Sequence, residues 1–157
     1  MNKQNLALEK IALCKEKRQL YLDLSHLGLT EIPQELSTLV WLERLSLAHN
    51  KITDIGALEP LKKIHKLSLS NNQISDLSPL ASNKSLKFLF IQNNHICDLT
   101  PLSHLYTLKK LVAHDNEIKN IGSLLLLPQL VYADLAQNHI CDSRPLEALD
   151  TLLILKI

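Results

Sequence analysis

The chain has 157 residues, of which 46% are hydrophobic, and this is enough to bury one substantial core. Its 17 basic and 16 acidic residues leave a formal net charge of +1, so it lacks the concentrated basic excess that nucleic acid binding normally needs. The longest apolar stretch, around residues 121–127, is interrupted by a glycine and a serine and is too short to span a bilayer.

The first element that the sequence predicts is a helix within residues 1–19. Leu6, Ala7, Ile11 and Cys14 recur there at helical spacing, with lysine and glutamate between them. Nothing in this segment matches the pattern that follows it. We therefore expect an amphipathic helix that forms a separate capping element and covers the apolar end of the first repeating unit.

Residues 20–157 consist of repeating units, each of which begins with a short leucine-rich strand. Seven strand positions recur along the chain: Leu22, Leu45, Leu67, Leu89, Leu111, Ala133 and Leu155. The first spacing is 23 residues and each later spacing is 22 residues. A fixed period of this length is typical of a repeat protein. We expect one 23-residue unit, five 22-residue units and a terminal strand stub.

Within each unit the sequence predicts a strand, a turn that contains an asparagine, and a short helical turn. The asparagines are Asn50, Asn72, Asn94, Asn116 and Asn138. Because an amide side chain both donates and accepts hydrogen bonds, each one can satisfy the backbone of its own turn and of the neighbouring turn. We expect these side chains to form a structural ladder. Pro79, Pro101 and Pro145 then favour a short helical turn on the outer side.

Three segments carry the repeat most clearly: LERLSLAHNKITDI, LSLSNNQISDLSPL and LFIQNNHICDLTPL. They resemble the 22-residue subclass of the leucine-rich repeat family, which is seen in bacterial internalins and in the eukaryotic regulator of protein phosphatase one. The opening segment LDLSHLGLTEIPQEL resembles the first repeat of many bacterial members. The resemblance implies an α/β fold: a solenoid that curves as a right-handed superhelix, with a parallel β-sheet on its concave side and short helical turns on its convex side.

Strand alternation predicts a candidate interaction site on the concave sheet. Outward positions of neighbouring strands hold four apolar side chains, namely Phe88, Phe90, Val112 and Tyr132. The polar and charged side chains predicted around them are Arg44, Lys66, Lys110, His114 and Asp134. An exposed apolar centre with a charged rim is typical of a protein interface. The alternative is that the aromatic rings only pack on each other or on lysine side chains across the sheet.

The sequence predicts neither a catalytic site nor a metal site. His26 and His49 share one repeat position, and His95 and His139 share another, but no cysteine or carboxylate joins either pair at a suitable spacing. The chain has only three glycines and no phosphate-binding motif, and no nucleophile stands in register with a base and an orienting group. We therefore expect no enzyme activity, no metal and no cofactor.

These observations favour a non-enzymatic module that binds another protein on its concave sheet. The resemblance adds a setting, in which the chain is a bacterial effector that acts on a host protein. Two alternatives stand beside it: a regulatory subunit of the phosphatase-regulator type, and the recognition half of a longer enzyme. The strand at residues 155–157 is a candidate site of self-association, because an uncovered edge strand can pair with a second copy of the chain.

The predicted location is the cytoplasm. Residues 1–10 hold no continuous apolar block, so we expect no secretory signal peptide. Cys97 and Cys141 are two repeats apart, about 10 Å at the spacing of neighbouring strands, which is too far for a disulfide. Free thiols indicate a reducing compartment, so we expect the chain either to work in the cytoplasm or to reach a host cell without the usual secretion signal.

Overall fold

The computed structural model describes residues 3–142, 144 and 152–157. In that part, seven strands of three residues each form one parallel sheet in sequence order. They are β1 (Tyr21–Asp23), β2 (Arg44–Ser46), β3 (Lys66–Ser68), β4 (Phe88–Phe90), β5 (Lys110–Val112), β6 (Tyr132–Asp134) and β7 (Ile154–Lys156). The predicted strand positions face each other in register, as Leu22 faces Leu45. The predicted α/β repeat fold with a parallel sheet is therefore confirmed.

Helix α1 (Lys3–Glu16) covers the N-terminal end of the sheet. The side chains that it buries are Ala7, Ile11 and Cys14. The helix closes at Arg18, whose φ of 47° is left-handed, and the Gln19 N–H donates to the Cys14 carbonyl at 3.0 Å. This closing turn satisfies a carbonyl that a helix end otherwise leaves free. No helix among the described residues has the length and apolar content to cross a bilayer.

Leucine and isoleucine side chains fill the space between the sheet and the opposite side of the solenoid. The strand residues Leu67 and Leu89 are completely buried. On the opposite side the structure has short 3₁₀ helices at Gln34–Thr38, Gly56–Leu58, Ser78–Leu80, Thr100–Leu102 and Gly122–Leu126. Each of them adds a buried leucine to the core, such as Leu80. Burying one leucine contributes about 1.5–3 kcal/mol, so stability grows with the number of stacked units.

A side-chain oxygen accepts a hydrogen bond from the first backbone N–H of each 3₁₀ helix that follows β2 to β5. Asp76 Oδ1 accepts a hydrogen bond from the Ser78 backbone N–H at 2.8 Å. The equivalent residues that act in the same way are Asp54, Asp98, Asn120 and, in the next unit, Asp142. Hydrogen bonds from the Ser78 side chain and backbone hold the pKa of Asp76 below its ordinary value, because the ionised carboxylate is the stronger acceptor. These contacts fix the path of the chain after each strand.

Each ladder asparagine connects its own unit to the preceding one. Asn94 Nδ2 donates to the Ile91 carbonyl of its own unit and to the Leu69 carbonyl of the preceding unit, both at 3.0 Å. Its Oδ1 atom accepts from the Ile74 N–H, also at 3.0 Å. The side chains that make the corresponding contacts are Asn50, Asn72, Asn116 and Asn138. Since an unpaired buried backbone group costs about 1–3 kcal/mol, the ladder ties neighbouring units together.

The C-terminal end of the described sheet is the strand β7. Its surroundings are open: Leu153 is 80% exposed, Ile154 49% and Ile157 61%. The helical turn predicted around Pro145 lies outside the described residues. Within them, β7 pairs only with β6, so its outer edge carries unpaired backbone groups.

Candidate functional site

The first and third residues of every strand point away from the core, and together they form what we call the open sheet face. The parallel register arranges these residues in two rows. The first row is Tyr21, Arg44, Lys66, Phe88, Lys110, Tyr132 and Ile154. The second row is Asp23, Ser46, Ser68, Phe90, Val112, Asp134 and Lys156. The structure therefore brings the predicted strand residues together on one surface.

The centre of the open sheet face is less exposed than the strand pattern predicts. Strand alternation alone predicts five accessible side chains here. Phe88, Phe90 and Tyr132 are half-buried, whereas Val112 is only 9% exposed and Asp134 only 8% exposed. Val112 and Asp134 are covered because larger side chains on the adjoining strands lie against them. The accessible apolar surface therefore comes from the aromatic rings.

Lysine ammonium groups lie over two of these rings. The Nζ atoms of Lys66 and Lys110 are each 5.8 Å from the centroid of the Phe90 ring. Lys110 Nζ is also 4.3 Å from the centroid of the Tyr132 ring. Each such contact contributes about 0.5–1 kcal/mol at an exposed site. The sequence left open the alternative that the aromatic rings pack on lysine side chains, and Phe90 and Tyr132 do make such contacts. Phe88 has no ring–cation contact among the described residues.

The carboxylate of Asp134 is compensated within the chain. Lys156 Nζ lies 3.3 Å from Asp134 Oδ2, and the Tyr132 hydroxyl donates to the same oxygen at 3.4 Å. Hydrogen bonding to Tyr132 and Asp134 raises the pKa of Lys156 above its ordinary value. Because its charge is already paired, Asp134 presents little free negative charge at this end of the open sheet face.

A shallow hollow of about 490 Å³ lies on the β1 to β4 side of the open sheet face. Its lining residues are Tyr21, Arg44, Leu45, Ser46, Lys66, Ser68 and Phe90. Neither Arg44 nor Lys66 forms an ion pair with any carboxylate of the described residues. Burial, followed by the charge of the neighbouring Asp23 carboxylate and a hydrogen bond to it, raises the pKa of Tyr21. The hollow therefore offers two serine hydroxyls and two cations that have no carboxylate partner among the described residues.

His114 lies just beyond β5, at the border of the open sheet face. Its Nδ1 atom contacts the Asp115 carboxylate, which orients the imidazole ring. The equivalent residue of the preceding unit is Gln92, whose Oε1 atom is buried and receives no hydrogen bond within the described part of the chain. The structure thus places His114 beside the predicted cluster rather than within its two rows.

Two family models match the repeats. The model described as "Leucine rich repeat" matches residues 20–74, and the model described as "Leucine Rich repeats (2 copies)" matches residues 62–104. The chain belongs to the leucine-rich repeat family. No curated protein sequence matches this leucine-rich repeat chain.

Solved structures that resemble the leucine-rich repeat chain include two internalins of Listeria monocytogenes. Internalin C2 is 38% identical with a TM-score of 0.79, and the match covers 82% of this chain and 56% of that one. The internalin InlF is 31% identical with a TM-score of 0.78, and the match covers 83% of this chain and 38% of that one. The chain therefore spans about half of the first internalin and less of the second.

Sequence reasoning missed one regular backbone feature of these leucine-rich repeats. The third residue after each of the strands β1 to β6 has a left-handed backbone. The residues are His26 (φ 60°), His49 (56°), Asn71 (56°), Asn93 (56°), Asp115 (55°) and Gln137 (54°). Asparagine, aspartate and histidine are enriched in this conformation, so their recurrence at one repeat position was the available signal. The feature turns the chain sharply away from each strand.

The left-handed position also explains the predicted histidine pair. The His26 and His49 rings stack with their centroids 4.2 Å apart and their planes 11° apart. Among the described residues, no group of three or more histidine, cysteine, aspartate and glutamate side chains is arranged to hold a metal ion. The leucine-rich repeat stack, which places one histidine above the other, accounts for the arrangement.

Proposed function

We propose that the chain is a non-enzymatic module that binds another protein through its open sheet face. Leucine-rich repeat domains generally mediate protein–protein interactions, and the similarity to internalins is consistent with that role. The observation that carries the proposal is the combination of half-buried aromatic rings and unpaired cations on one face of seven in-register strands. Such a face offers a broad, preformed contact area without a deep pocket.

The residues of the open sheet face have different roles in this proposal. Phe88 and Phe90 lie on one strand at its centre and act as the apolar anchors, with Tyr132 beside them. Val112 lies beside Phe90 on the next strand and, because it is covered, contributes little direct contact. The polar and charged residues that set specificity and association rate are Arg44, Lys66, Lys110 and His114, while the predicted contact residue Asp134 is buried and acts by holding Lys156 and Tyr132.

A peptide selection tests this function and needs no named partner. Random peptides displayed on phage are selected against the wild-type chain, and the enriched peptides are then measured against variants. Replacing both anchors (Phe88→Ala with Phe90→Ala) is expected to abolish binding, because a buried aromatic anchor usually carries much of the binding energy. Circular dichroism confirms that the variant remains folded.

The matched control is Tyr106→Ala with Leu126→Ala. Both side chains are large, apolar and exposed, at 51% and 55%, but neither belongs to the open sheet face. This variant is expected to retain every selected peptide. If the enriched peptides bind the Phe88 and Phe90 variant as tightly as the wild type, the open sheet face is not the binding site.

The biological setting that we propose is a bacterial effector acting on a host protein, with similarity to bacterial internalins as its support. We place it in a reducing compartment such as the cytoplasm, because Cys97 and Cys141 are exposed free thiols. A regulatory or targeting subunit of an enzyme is the alternative. Gel filtration with the catalytic subunit of protein phosphatase one separates the two, since co-elution is expected only for the phosphatase-regulator type.

Self-association is a second candidate interaction, and the exposed strand β7 favours it. Leu153, Ile154 and Ile157 are apolar and accessible beside an unpaired strand edge. We expect the mass measured by light scattering to rise with protein concentration, and Leu153→Glu with Ile157→Glu to prevent the rise. A monomeric mass at every concentration would exclude this contact.

A further inference from the structure

The near-neutral net charge conceals a separation of charge between the two sides of the sheet. Basic residues occupy the first position of β2, β3 and β5 and occur in the four residues before β3, β4 and β5. They are Arg44, Lys62, Lys63, Lys66, Lys84, Lys87, Lys109 and Lys110. Glu43 is the one carboxylate at the corresponding positions of β2 to β5, and it lies 4.0 Å from His65. Carboxylates occur instead in the turns after the strands, where Asp54, Asp76 and Asp98 begin the 3₁₀ helices. One side of the repeat stack is therefore basic.

The basic side continues onto the open sheet face. From β2 to β5 the outward residues are Arg44, Ser46, Lys66, Ser68, Phe88, Phe90, Lys110 and Val112. This set contains three cations and no carboxylate. The acidic residues of the face occur only on β1 and β6, where Asp23 receives hydrogen bonds and Asp134 is paired with Lys156. Its central part thus has a positive charge that the chain itself does not neutralise.

We infer that the open sheet face recognises an acidic stretch of a partner polypeptide, with carboxylates held by Arg44 and Lys66 and an apolar side chain placed against Phe90. The inference rests on the proposed function and specifies the chemistry of the partner. Guanidinium and ammonium groups form their strongest hydrogen bonds with carboxylates. The Ser46 and Ser68 hydroxyls lie in the same hollow and supply further polar contacts.

The register of the strands sets the spacing that such a partner needs. Arg44 and Lys66 are directly opposite each other on neighbouring strands, with backbones about 4.8 Å apart along the sheet. The Arg44 guanidinium lies towards Tyr21 and the Lys66 ammonium towards Phe90, so the two cations border the hollow on both sides and a carboxylate bound there lies close to either. Ser68 is opposite Phe90 on the next pair of strands, which places the ring roughly 5–10 Å from that carboxylate. An extended chain covers this distance in two to three residues. The expected motif is an acidic residue and a large apolar residue, in either order, about two to three residues apart.

The same contacts favour a polypeptide over a nucleic acid. Proteins that bind single strands stack the bases on open aromatic faces. Here Lys66 and Lys110 lie over the Phe90 ring, and Lys110 and Lys156 lie near the Tyr132 ring, so Phe88 is left as a single open ring and successive bases find no row of open faces. One apolar side chain of a peptide needs less room and can pack at the edge of Phe90. The three cations on β2 to β5 are also too few to form the continuous basic track that a phosphate backbone needs, and they suffice for a short acidic peptide.

The composition of the peptides selected on the wild-type chain tests this inference. We expect enrichment of aspartate and glutamate near a large apolar residue. A representative selected peptide is then measured by fluorescence anisotropy against Arg44→Gln with Lys66→Gln, which is expected to weaken its binding about tenfold. The matched control, Lys51→Gln with Lys119→Gln, removes the same charge from two exposed positions in the turns and is expected to leave the affinity unchanged.

The possible outcomes separate this inference from the proposed function. Selected peptides that are neutral or basic, yet need Phe88 and Phe90, would overturn the acidic specificity and leave the proposed function standing. Peptides that do not need the two phenylalanines would overturn both. An oligothymidine that binds more tightly than the acidic peptides at physiological ionic strength, and loses affinity in the Arg44 and Lys66 variant, would assign the face to nucleic acid instead.

Discussion

The first and last strands that the structure describes carry the same strand pattern but differ greatly in how well they are covered. At the N-terminal end, α1 buries Ile11 against the first unit, and Leu22 of β1 is only 4% exposed. Trp41 adds to this cover, because its Nε1 atom donates to the Gln19 carbonyl at 3.1 Å. In the described C-terminal end, Ile154 of β7 is 49% exposed. The repeat pattern therefore determines which side chains face the interior, and at the N-terminal end the non-repeating helix α1 covers them.

The interior of the stack shows a related difference. The central units place leucine or isoleucine at every inward strand position, whereas two inward positions of the later units hold Ala113 and Ala133. Both alanines are completely buried, and Leu124 and Leu127 on the opposite side are completely buried as well. Smaller strand side chains bury less apolar area per unit, so we expect the later units to contribute less stability.

Substitutions of the ladder asparagines are expected to show this difference in stability most strongly. Asn94→Ala is expected to lower the free energy of unfolding by about 3 kcal/mol or more, because three buried backbone groups lose their partner. Asn138→Ala removes the same contacts from a half-buried site that water can enter, so a loss of about 1 kcal/mol is expected. Urea denaturation followed by circular dichroism measures both. Equal losses would mean that the two units are equally tightly held.

The capping helix provides the next test. Ile11 is 2% exposed, and Ile11→Ala is expected to destabilise the chain by about 2–4 kcal/mol because it leaves a cavity between α1 and the first unit. The control on the same helix is Leu13→Ala, at a position that is 44% exposed, and a change below about 0.5 kcal/mol is expected there. Similar melting temperatures for the two variants would show that the helix does not seal this end.

Hydrogen exchange compares the two ends without a mutation. The β3 and β4 amides are expected to exchange slowly, because completely buried Leu67 and Leu89 lie beneath them. The β6 and β7 amides are expected to exchange faster, since Ala133 is small and the side chains around β7 are exposed. Mass spectrometry of peptic fragments resolves the strands. Uniform protection from β1 to β7 would contradict the expected difference.

The smallest expected effect concerns pH. Burial alone raises the pKa of Asp23, but hydrogen bonds from Ser25 and the charge of Lys10 outweigh it and leave the pKa below its ordinary value. A carboxyl whose pKa is lower in the folded chain stabilises it above the unfolded pKa, and the contribution is lost as pH falls below about 4. The stability of Asp23→Asn should therefore fall less steeply with acidification than that of the wild type.

The control for the pH experiment is Glu59→Gln. Glu59 is exposed and forms no ion pair within the described residues. Urea midpoints between neutral and acidic pH are expected to follow the wild-type curve. An identical slope for the wild type and the Asp23 variant would show that the β1 carboxylate does not contribute to the pH dependence.

The sequence predicted the features that repeat and missed those that depend on neighbouring side chains. Strand positions and the ladder were predictable because inward leucines and Asn94 recur at one spacing, and local geometry follows from that spacing. The cover over Val112 was not predictable, because it depends on how long side chains of adjoining strands are oriented. The same reason applies to Lys66 and Lys110 above Phe90. Whether the open sheet face binds a partner stays a prediction.

The ladder also has a mechanical consequence. Because every ladder asparagine bonds to two successive units, and the strands are joined side by side, a force applied along the stack acts on one interface at a time. Such a force would peel units away in sequence instead of shearing the whole sheet at once. In an optical trap, the extension should therefore grow in repeated small steps of one unit's length, and the least covered end should be the first to open.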